Sequence, residues 1–207
     1  MDLTFVVNHS VSFFLIEKQF KKRGNTFYKC SKNAFFAISF YSSGLCVYYV
    51  MPLFIPFQDK TLTYGGQLGI ALSSTNGNKP DDEKIRIWAN RFFEEYYSIV
   101  EPFFKALDAF IESDRRRFVY SKRVCTDIEM SRFLVYLFLY RRDLIHVKDE
   151  LVNYENLLLH GGFFSERVVT MRKAEVEEVY DVVSKGEDCV KNYVEQIVLN
   201  TKKVLRI

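Results

Sequence analysis

The longest regular pattern of apolar residues in this chain runs from Asp81 to Ser113. The apolar positions follow one another in steps of three and four residues, which places them on one face of an α-helix. They are Ile85, Trp88, Phe92, Tyr96, Ile99, Phe103, Leu107 and Phe110. Pro102 lies inside the pattern and lacks the N–H that would bond to the carbonyl of Ser98. The sequence therefore predicts a kink near Tyr97–Glu101 or two helices that meet there, and the continuing apolar rhythm favours the kink.

The chain before this helix shows the short aromatic and β-branched runs that are typical of strands. A helix that ends at about Gln19 comes first, and Lys21–Asn25 is predicted to be a turn because Gly24 and Asn25 tolerate positive φ angles. The predicted strands are Thr26–Cys30, Ala34–Tyr41, Leu45–Phe54 and Thr61–Leu72. In the last of them, Gly65 and Gly66 predict a bulge or close packing. Short connections predict antiparallel pairing in a meander.

After the junction at Ser113–Arg117 the apolar pattern is helical only. It predicts four helices, over about Thr126–Tyr140, about Asp143–His160, Ser165 to Gly186 and Glu187–Ile207. Short loops between them predict an antiparallel bundle.

The predicted fold class is therefore α+β. An N-terminal helix and an antiparallel β-meander pack on a long kinked helix, and an antiparallel C-terminal helical bundle follows. The predicted domains are an α+β domain over residues 1–113 and a helical domain over residues 114–207, which could share one core.

The composition of the chain indicates a folded protein with a core and differs from that of a typical nucleic-acid-binding protein. The chain has 207 residues, of which 48% are hydrophobic and 16% aromatic, so it can build a substantial core. Its 29 basic and 26 acidic residues give a net charge of +3. This near balance differs from the strong basic excess of most nucleic-acid-binding proteins.

The cysteines and the apolar runs indicate where in the cell the protein is expected. Cys30, Cys46, Cys125 and Cys189 form no CxxC pair or disulfide pattern, so we expect reduced thiols in a cytoplasmic protein. The start of the chain lacks the basic region of a signal peptide. The longest apolar runs are much shorter than the roughly 20 residues of a membrane helix, so no membrane partner is expected.

The chain carries no recognisable catalytic, cofactor or metal signature. A Walker loop, a GxGxxG and a GxSxG are all absent, and His9, His146 and His160 lack the spacing of metal ligands. We therefore expect no cofactor and no metal, and a non-catalytic role is favoured. An enzyme whose site is assembled from distant residues is an alternative that the sequence permits without favouring it.

The most site-like feature is a basic cluster after the long helix. Its members are Arg115, Arg116, Arg117, Lys122 and Arg123. Phe118 and Tyr120 are interleaved with them. Such a cluster can bind phosphates or acidic side chains. The structural alternative is a solvated linker whose charges pair with Asp114 and Asp127.

The segment Phe20–Lys29, FKKRGNTFYK, resembles the opening motif of the DUF4304 family, a bacterial family of unknown function. The strand Phe35–Tyr41 and the helix containing Trp88 follow in a compatible order, so the resemblance covers about the first 110 residues. Gln19 stands where the family motif usually has glycine. The resemblance implies a helix that enters an antiparallel sheet, and a binding or immunity module of bacterial defence and toxin systems. It implies no catalytic residues.

Two functions follow as hypotheses. The first is a non-catalytic protein-interaction module of a bacterial cytoplasmic protein, associated with immunity or defence, whose partner is another protein or a second copy of the chain. The alternative is a nucleic-acid-binding accessory protein that uses the basic cluster Arg115–Arg123. Its phosphate contacts would make binding strongly salt-dependent.

Overall fold

The computed structural model describes residues 6–41, 44–57, 64–68, 82–120, 125–160 and 165–207, and its fold is α+β, as predicted. The strands are β1 (Lys21–Arg23), β2 (Thr26–Cys30), β3 (Ala34–Phe40), β4 (Cys46–Pro52) and β5 (Tyr64–Gln67). Helix α1 is a π turn over Val7–Val11 followed by an α-helix over Ser12–Glu17, and α2 consists of Asp82–Glu95, Tyr96–Val100 and Glu101–Glu112. The later helices are α3 (Asp127–Arg141), α4 (Leu144–His160), α5 (Glu166–Ser184) and α6 (Glu187–Leu205).

The described residues divide into two compact units. The first unit lies within Met1–Met51 and Leu62–Val124, and it contains α1, most of the sheet and α2. The second unit lies within Pro52–Thr61 and Cys125–Ile207, and it contains α3 to α6.

The sheet is a meander in which every strand pairs with its neighbours in the chain. Its order is β1-β2-β3-β4-β5. The first hairpin pairs Arg23 with Thr26, so Gly24 and Asn25 form a two-residue turn. Gly24 has a φ of 58°, which an L residue with a side chain adopts only under strain. The predicted antiparallel meander is confirmed.

The prediction that Lys21–Arg23 belongs to a turn is wrong, because these residues form β1. Helix α1 ends earlier than the basic run: Gln19 adopts the left-handed conformation with a φ of 67°, and the N–H of Phe20 donates to the carbonyl of Leu15 at 2.9 Å. The chain is therefore already extended at Lys21. The exposed basic side chains of β1 lie on an edge strand, where charge discourages pairing with other chains.

The two glycines of β5 allow a close approach to β4. A Cβ atom at Gly65 would lie 2.1 Å from the carbonyl oxygen of Tyr48, and one at Gly66 would lie 2.9 Å from the hydroxyl oxygen of the same tyrosine. Close packing, which was one of the two predicted reasons for this glycine pair, therefore explains it.

Helix α2 continues through its proline. The backbone stays in the right-handed helical region at Glu95, Val100 and Glu101, on either side of the π turn Tyr96–Val100. Pro102 is the second residue of the following α-helical segment, where a missing N–H is tolerated. A π turn, Tyr96–Val100, therefore lies next to the proline, in the region where the sequence predicted a disturbance of the helix.

The apolar face of α2 forms the core of the first unit. Trp88, Phe92 and Phe103 are all buried, as predicted. Phe40 of β3 packs on Trp88 and Phe92 with ring centroids 6.0 and 5.4 Å away, and Tyr48 of β4 packs on Phe103 at 5.6 Å. The Trp88 indole N–H donates to the carbonyl of Gly44 at 2.9 Å.

The second unit is built around α3, whose side chains are buried on nearly every side. Neighbouring helices in the chain pack on one another, and α3 also packs on α6. Thr126 caps α3, because its hydroxyl oxygen accepts a hydrogen bond from the Glu129 N–H at 3.3 Å. The structure confirms the predicted helical region that follows the α+β region.

Candidate functional site

The structure places part of the predicted basic cluster in one exposed segment. Arg115, Arg116 and Arg117 follow the end of α2 and all three side chains are exposed. Lys122 and Arg123 lie outside the described residues. Of the predicted cluster, the described part is therefore the three consecutive arginines, which are neighbours in the chain.

Aromatic side chains hold this segment on α2. The Phe118 and Tyr120 rings stack in parallel with their centroids 5.9 Å apart. Phe118 also packs on Phe110, and Tyr120 packs on Phe103. The Tyr120 hydroxyl donates to the carbonyl of Ile99 at 3.3 Å. Phe118 and Tyr120 therefore anchor this segment on α2.

A second group of arginines lies inside the helical unit, where sequence analysis proposed no site. Arg132 of α3 and Glu175 of α5 are only 4% and 3% exposed. The Arg132 Nε donates to Glu175 Oε1 at 2.9 Å, and its Nη2 donates to the same oxygen at 2.7 Å. Arg132 Nη2 also donates to the carbonyl of Pro56 at 3.2 Å. The guanidinium thus connects two helices and the segment at Pro56.

Two further side chains complete the hydrogen bonding of Glu175. The Tyr136 hydroxyl donates to Oε1 at 2.7 Å, and Arg172 Nη1 donates to Oε2 at 3.1 Å. Arg172 Nη2 also donates to Glu129 at 3.3 Å. We call these five residues the Glu175 network: Glu129, Arg132, Tyr136, Arg172 and Glu175. Two cations meet two carboxylates in it, so its formal charges cancel.

The electrostatics of the network keep its central carboxylate ionised. Burial by itself raises the pKa of Glu175, but the charges of Arg132 and Arg172 and the hydrogen bonds from Arg132 and Tyr136 outweigh it, so the pKa lies below its usual value. Burial, followed by the neighbouring charge of Glu175, raises the pKa of Tyr136. Near neutral pH the carboxylate is charged and the phenol is protonated. The network is therefore a fixed structural link rather than a proton-transfer pair.

Burial is also the main cause of a raised pKa at three further side chains, Cys46, Tyr96 and Tyr154. Burial raises the pKa of the Cys46 thiol well above its usual value, which keeps it protonated and a weak nucleophile. Burial likewise raises the pKa of Tyr96 and Tyr154, and neither buried hydroxyl has a hydrogen-bond partner among the residues that the structure describes.

An apolar seam runs along the solvent face of α4. Ile145, Val152 and Leu159 recur every seven residues, and their side chains are 74%, 52% and 53% exposed. Seven residues make nearly two helical turns, so the three side chains form one line about 21 Å long. We call these three residues the α4 seam. Lys148 and Glu155 flank it on one side.

An open groove of about 490 Å³ adjoins the C-terminal end of the seam. Leu159 belongs to both features. The groove is lined by Ile128, Leu158, Leu159, Glu166, Val169, Thr170 and Lys173. Its lining combines four apolar side chains with the polar Glu166, Thr170 and Lys173, so the groove is of mixed character.

The structure gives no sign of a metal site in the part of the chain that it describes. No three His, Cys, Asp or Glu residues come together there in a way that could hold an ion. His146 is instead bound within its own helix turn, since its Nδ1 lies 2.7 Å from Asp143 Oδ1. None of the described helices combines the length and apolar character needed to cross a bilayer.

Comparisons with models of protein families, with curated proteins and with solved structures gave no match. The resemblance of Phe20–Lys29 to the DUF4304 family therefore stays a prediction. The functional argument depends on the geometry of the chain itself.

Sequence analysis missed both the Glu175 network and the α4 seam. The network joins residues 43 positions apart, and nothing at Arg132 or Glu175 alone marks them as partners. The seam could have been predicted from the sequence, because Ile145, Val152 and Leu159 form a second apolar row beside the inward residues of the same helix. A seven-residue repeat beside a buried row is the signal of a helix with two apolar faces.

Proposed function

We propose that this chain is a non-catalytic protein-interaction module and that the α4 seam is its binding surface. The observation that carries the proposal is the line of three exposed apolar side chains at seven-residue spacing on one helix. Single exposed apolar residues are common on protein surfaces, but an aligned row is the pattern by which one helix packs against another.

The chemistry of the interior supports a non-catalytic role. Glu175 accepts hydrogen bonds from Arg132, Arg172 and Tyr136. Its charge therefore holds α3 and α5 together. The buried thiol of Cys46 is held in its protonated form. Catalytic groups need a pKa matched to their task and access to a substrate, and neither group has both.

The resemblance to the DUF4304 family adds a proposal about context. Members of that family resemble immunity or defence modules, so the partner expected for this chain is a bacterial protein of such a system. The proposal names a class of partner and depends on the decapeptide Phe20–Lys29 alone.

Affinity capture with matched baits tests the proposed function. The wild-type chain, Val152→Asp and Leu199→Asp would be used as baits, since Leu199 is comparably exposed on α6 of the same unit. We expect proteins retained by the wild type and by Leu199→Asp to be lost from Val152→Asp, because a carboxylate in the seam opposes apolar contact. Identical retention by all three baits would contradict the proposal.

The alternative function, nucleic-acid binding, has one observation in its favour. Arg115, Arg116 and Arg117 are exposed beside the stacked Phe118 and Tyr120 rings, and arginines interleaved with aromatic rings occur in single-strand binding proteins. An electrophoretic shift series at low salt decides it. Retardation that is lost in the triple alanine variant would favour this function over the first, whereas no retardation at micromolar protein would remove it.

A further inference from the structure

We infer that the outer face of the β-meander, the side turned away from α2, binds single-stranded nucleic acid. This surface belongs to the first unit and the α4 seam belongs to the second, so the inference goes beyond the proposed function and does not depend on it. It also differs from the basic cluster after α2. Three features support it: the side chains that share the face, their ring contacts and the distribution of charge.

The register of the strands decides which side chains share the outer face. Phe40 and Tyr48 pack on α2, so residues of β3 and β4 one position out of phase with them point to the opposite side. Tyr28 joins that side because it pairs with Ala37 of β3, and Lys21 of β1 pairs with Tyr28. The members of the outer face that carry the argument are Lys21, Arg23, Tyr28, Phe35 and Tyr49.

The members of the outer face form one continuous series of ring contacts. The guanidinium carbon of Arg23 lies 4.9 Å from the centroid of the Tyr28 ring. Tyr28 stacks on Phe35 with centroids 5.2 Å apart and planes 20° apart, and Phe35 contacts Tyr49 at 6.5 Å. Phe35 is only 4% exposed, so it supports the two partly exposed tyrosines. Nucleobases stack on aromatic rings and on arginine guanidinium groups, and the series offers both.

The charge of the chain is unevenly distributed along the sequence. The stretch from Lys18 to Phe57 contains six lysines and arginines and no aspartate or glutamate, although the whole chain has 26 acidic residues. The near balance of the whole chain therefore conceals a basic region, and this region includes β1 to β4. A concentrated basic surface attracts anionic partners.

The charges on the outer face are basic as well. Lys21 and Arg23 are exposed on the edge strand β1, and the described strands contain no carboxylate side chain. Asp108 and Glu112 hydrogen-bond to the turn between β2 and β3, but they belong to α2, which packs on the other side of the sheet. The cations of β1 are therefore available to an anionic ligand that lies across the outer face.

The combination of rings and cations favours a nucleic acid over an acidic protein. Aspartate and glutamate carboxylates satisfy Lys21 and Arg23 but bring no flat ring to the aromatic series. A nucleic acid brings phosphates for the cations and bases for the rings, and only a single strand leaves its bases free to stack on a protein. Other antiparallel sheets with aromatic rings on one face stack about two or three bases in this way.

Fluorescence anisotropy of a short labelled oligothymidylate at low salt tests the inference. The wild-type chain should bind it in the micromolar range. Tyr28→Ala should weaken binding about fivefold or more, because it removes a stacking ring. Tyr180→Ala, a control at a tyrosine that is 36% exposed on α5, should bind like the wild type. A wild type that does not bind, or a folded Tyr28→Ala chain that binds like the wild type, would overturn the inference.

A charge reversal on β1 keeps the test decisive if Tyr28→Ala fails to fold. Lys21→Glu with Arg23→Glu changes two exposed side chains of an edge strand, and it should weaken binding roughly tenfold or more at low salt. The slope of log Kd against log salt should also fall by about 1.4, since each phosphate contact of a single strand contributes about 0.7.

The matched control for the charge reversal is Lys84→Glu with Arg86→Glu. Both side chains are exposed on α2, and the two double variants change the net charge equally. The control should keep most of the affinity, and circular dichroism would verify that both variants are folded. Equal weakening by the two double variants would overturn the inference, because net charge alone would then explain binding.

Two competing explanations have outcomes of their own. Polyglutamate that displaces the oligonucleotide as well as an unlabelled oligonucleotide of equal charge would overturn the inference, since the face would then recognise charge without bases. Binding that is lost when Arg115, Arg116 and Arg117 are replaced by alanine, but kept in the β1 charge reversal, would overturn it in favour of the basic cluster. Val152→Asp in the α4 seam should leave oligonucleotide binding unchanged, so this inference and the proposed function fail separately.

Discussion

The two groups of arginines in this protein have opposite surroundings. Arg132 and Arg172 are separate in sequence and lie in the interior of the helical unit, where they bind the buried carboxylate of Glu175. Arg115, Arg116 and Arg117 are consecutive in sequence and lie exposed after α2. The difference shows that a run of charges draws attention in a sequence, whereas charges that the fold buries and pairs can lie far apart in it.

The largest expected effect comes from removing one charge of the buried group. Arg132→Met leaves Glu175 in the interior without its main partner, so we expect the free energy of unfolding to fall by about 3–5 kcal/mol. Urea denaturation followed by circular dichroism measures it. The double variant Arg132→Met with Glu175→Leu should recover much of the loss, because it removes the stranded charge as well. A single variant within about 1 kcal/mol of the wild type would contradict the structural role of the network.

A smaller loss is expected from the phenol of the same network. Tyr136→Phe removes a hydrogen bond of 2.7 Å to Glu175 Oε1, and bonds to charged groups contribute about 1.5–3 kcal/mol. Urea denaturation of this variant beside Tyr154→Phe would separate loss of this bond from a general effect of removing a hydroxyl, since Tyr154 is a buried tyrosine of the same unit whose hydroxyl has no hydrogen-bond partner among the described residues. Equal losses in both variants would contradict a specific role for Tyr136.

A graded effect, which we expect to be smaller than either substitution, should come from pH. The pKa of Glu175 is lower in the folded protein than its usual value of 4.5, so the folded state favours the charged form. This contribution is fully present above about pH 4.5 and is lost as the pH falls through the folded pKa. Denaturation curves at several acidic pH values should therefore show a decline that the double variant Arg132→Met with Glu175→Leu lacks. Parallel declines in the two proteins would argue against Glu175 as the source.

The smallest effect on stability is expected from the exposed group. Replacement of Arg115, Arg116 and Arg117 by alanine should change the free energy of unfolding by no more than about 0.5 kcal/mol, since exposed side chains contribute little. Thermal unfolding measures this. A loss of unfolding free energy as large as that of Arg132→Met would contradict the proposed difference between the exposed and the buried arginines.

Regular patterns made much of the fold predictable. The stepwise apolar row through Trp88, Phe92 and Phe103 predicted a buried helical face, and the structure buries all three. The glycine pair at Gly65 was predicted to mark a bulge or close packing, and a Cβ there would collide with Tyr48. These features are local or periodic, so the sequence expresses them directly.

The remaining features depend on contacts that a linear pattern does not record. Lys21–Arg23 was predicted as a turn, but its conformation follows from the left-handed Gln19, which ends α1 before the basic run begins. The partnership of Arg132 with Glu175 arises only when α3 and α5 pack. Pro102 predicted a disturbance of α2 near Tyr97–Glu101, but only the backbone shows that the helix there forms a π turn.

Methyl NMR spectra recorded with and without the proteins that the wild-type bait retains test the proposed interaction surface most directly. If the α4 seam is the binding surface, the methyl signals of Ile145, Val152 and Leu159 should shift when these proteins are added, and those of the exposed Leu199 on α6 should not. Seam signals that stay constant on addition, or shifts confined to other methyl groups, would contradict it.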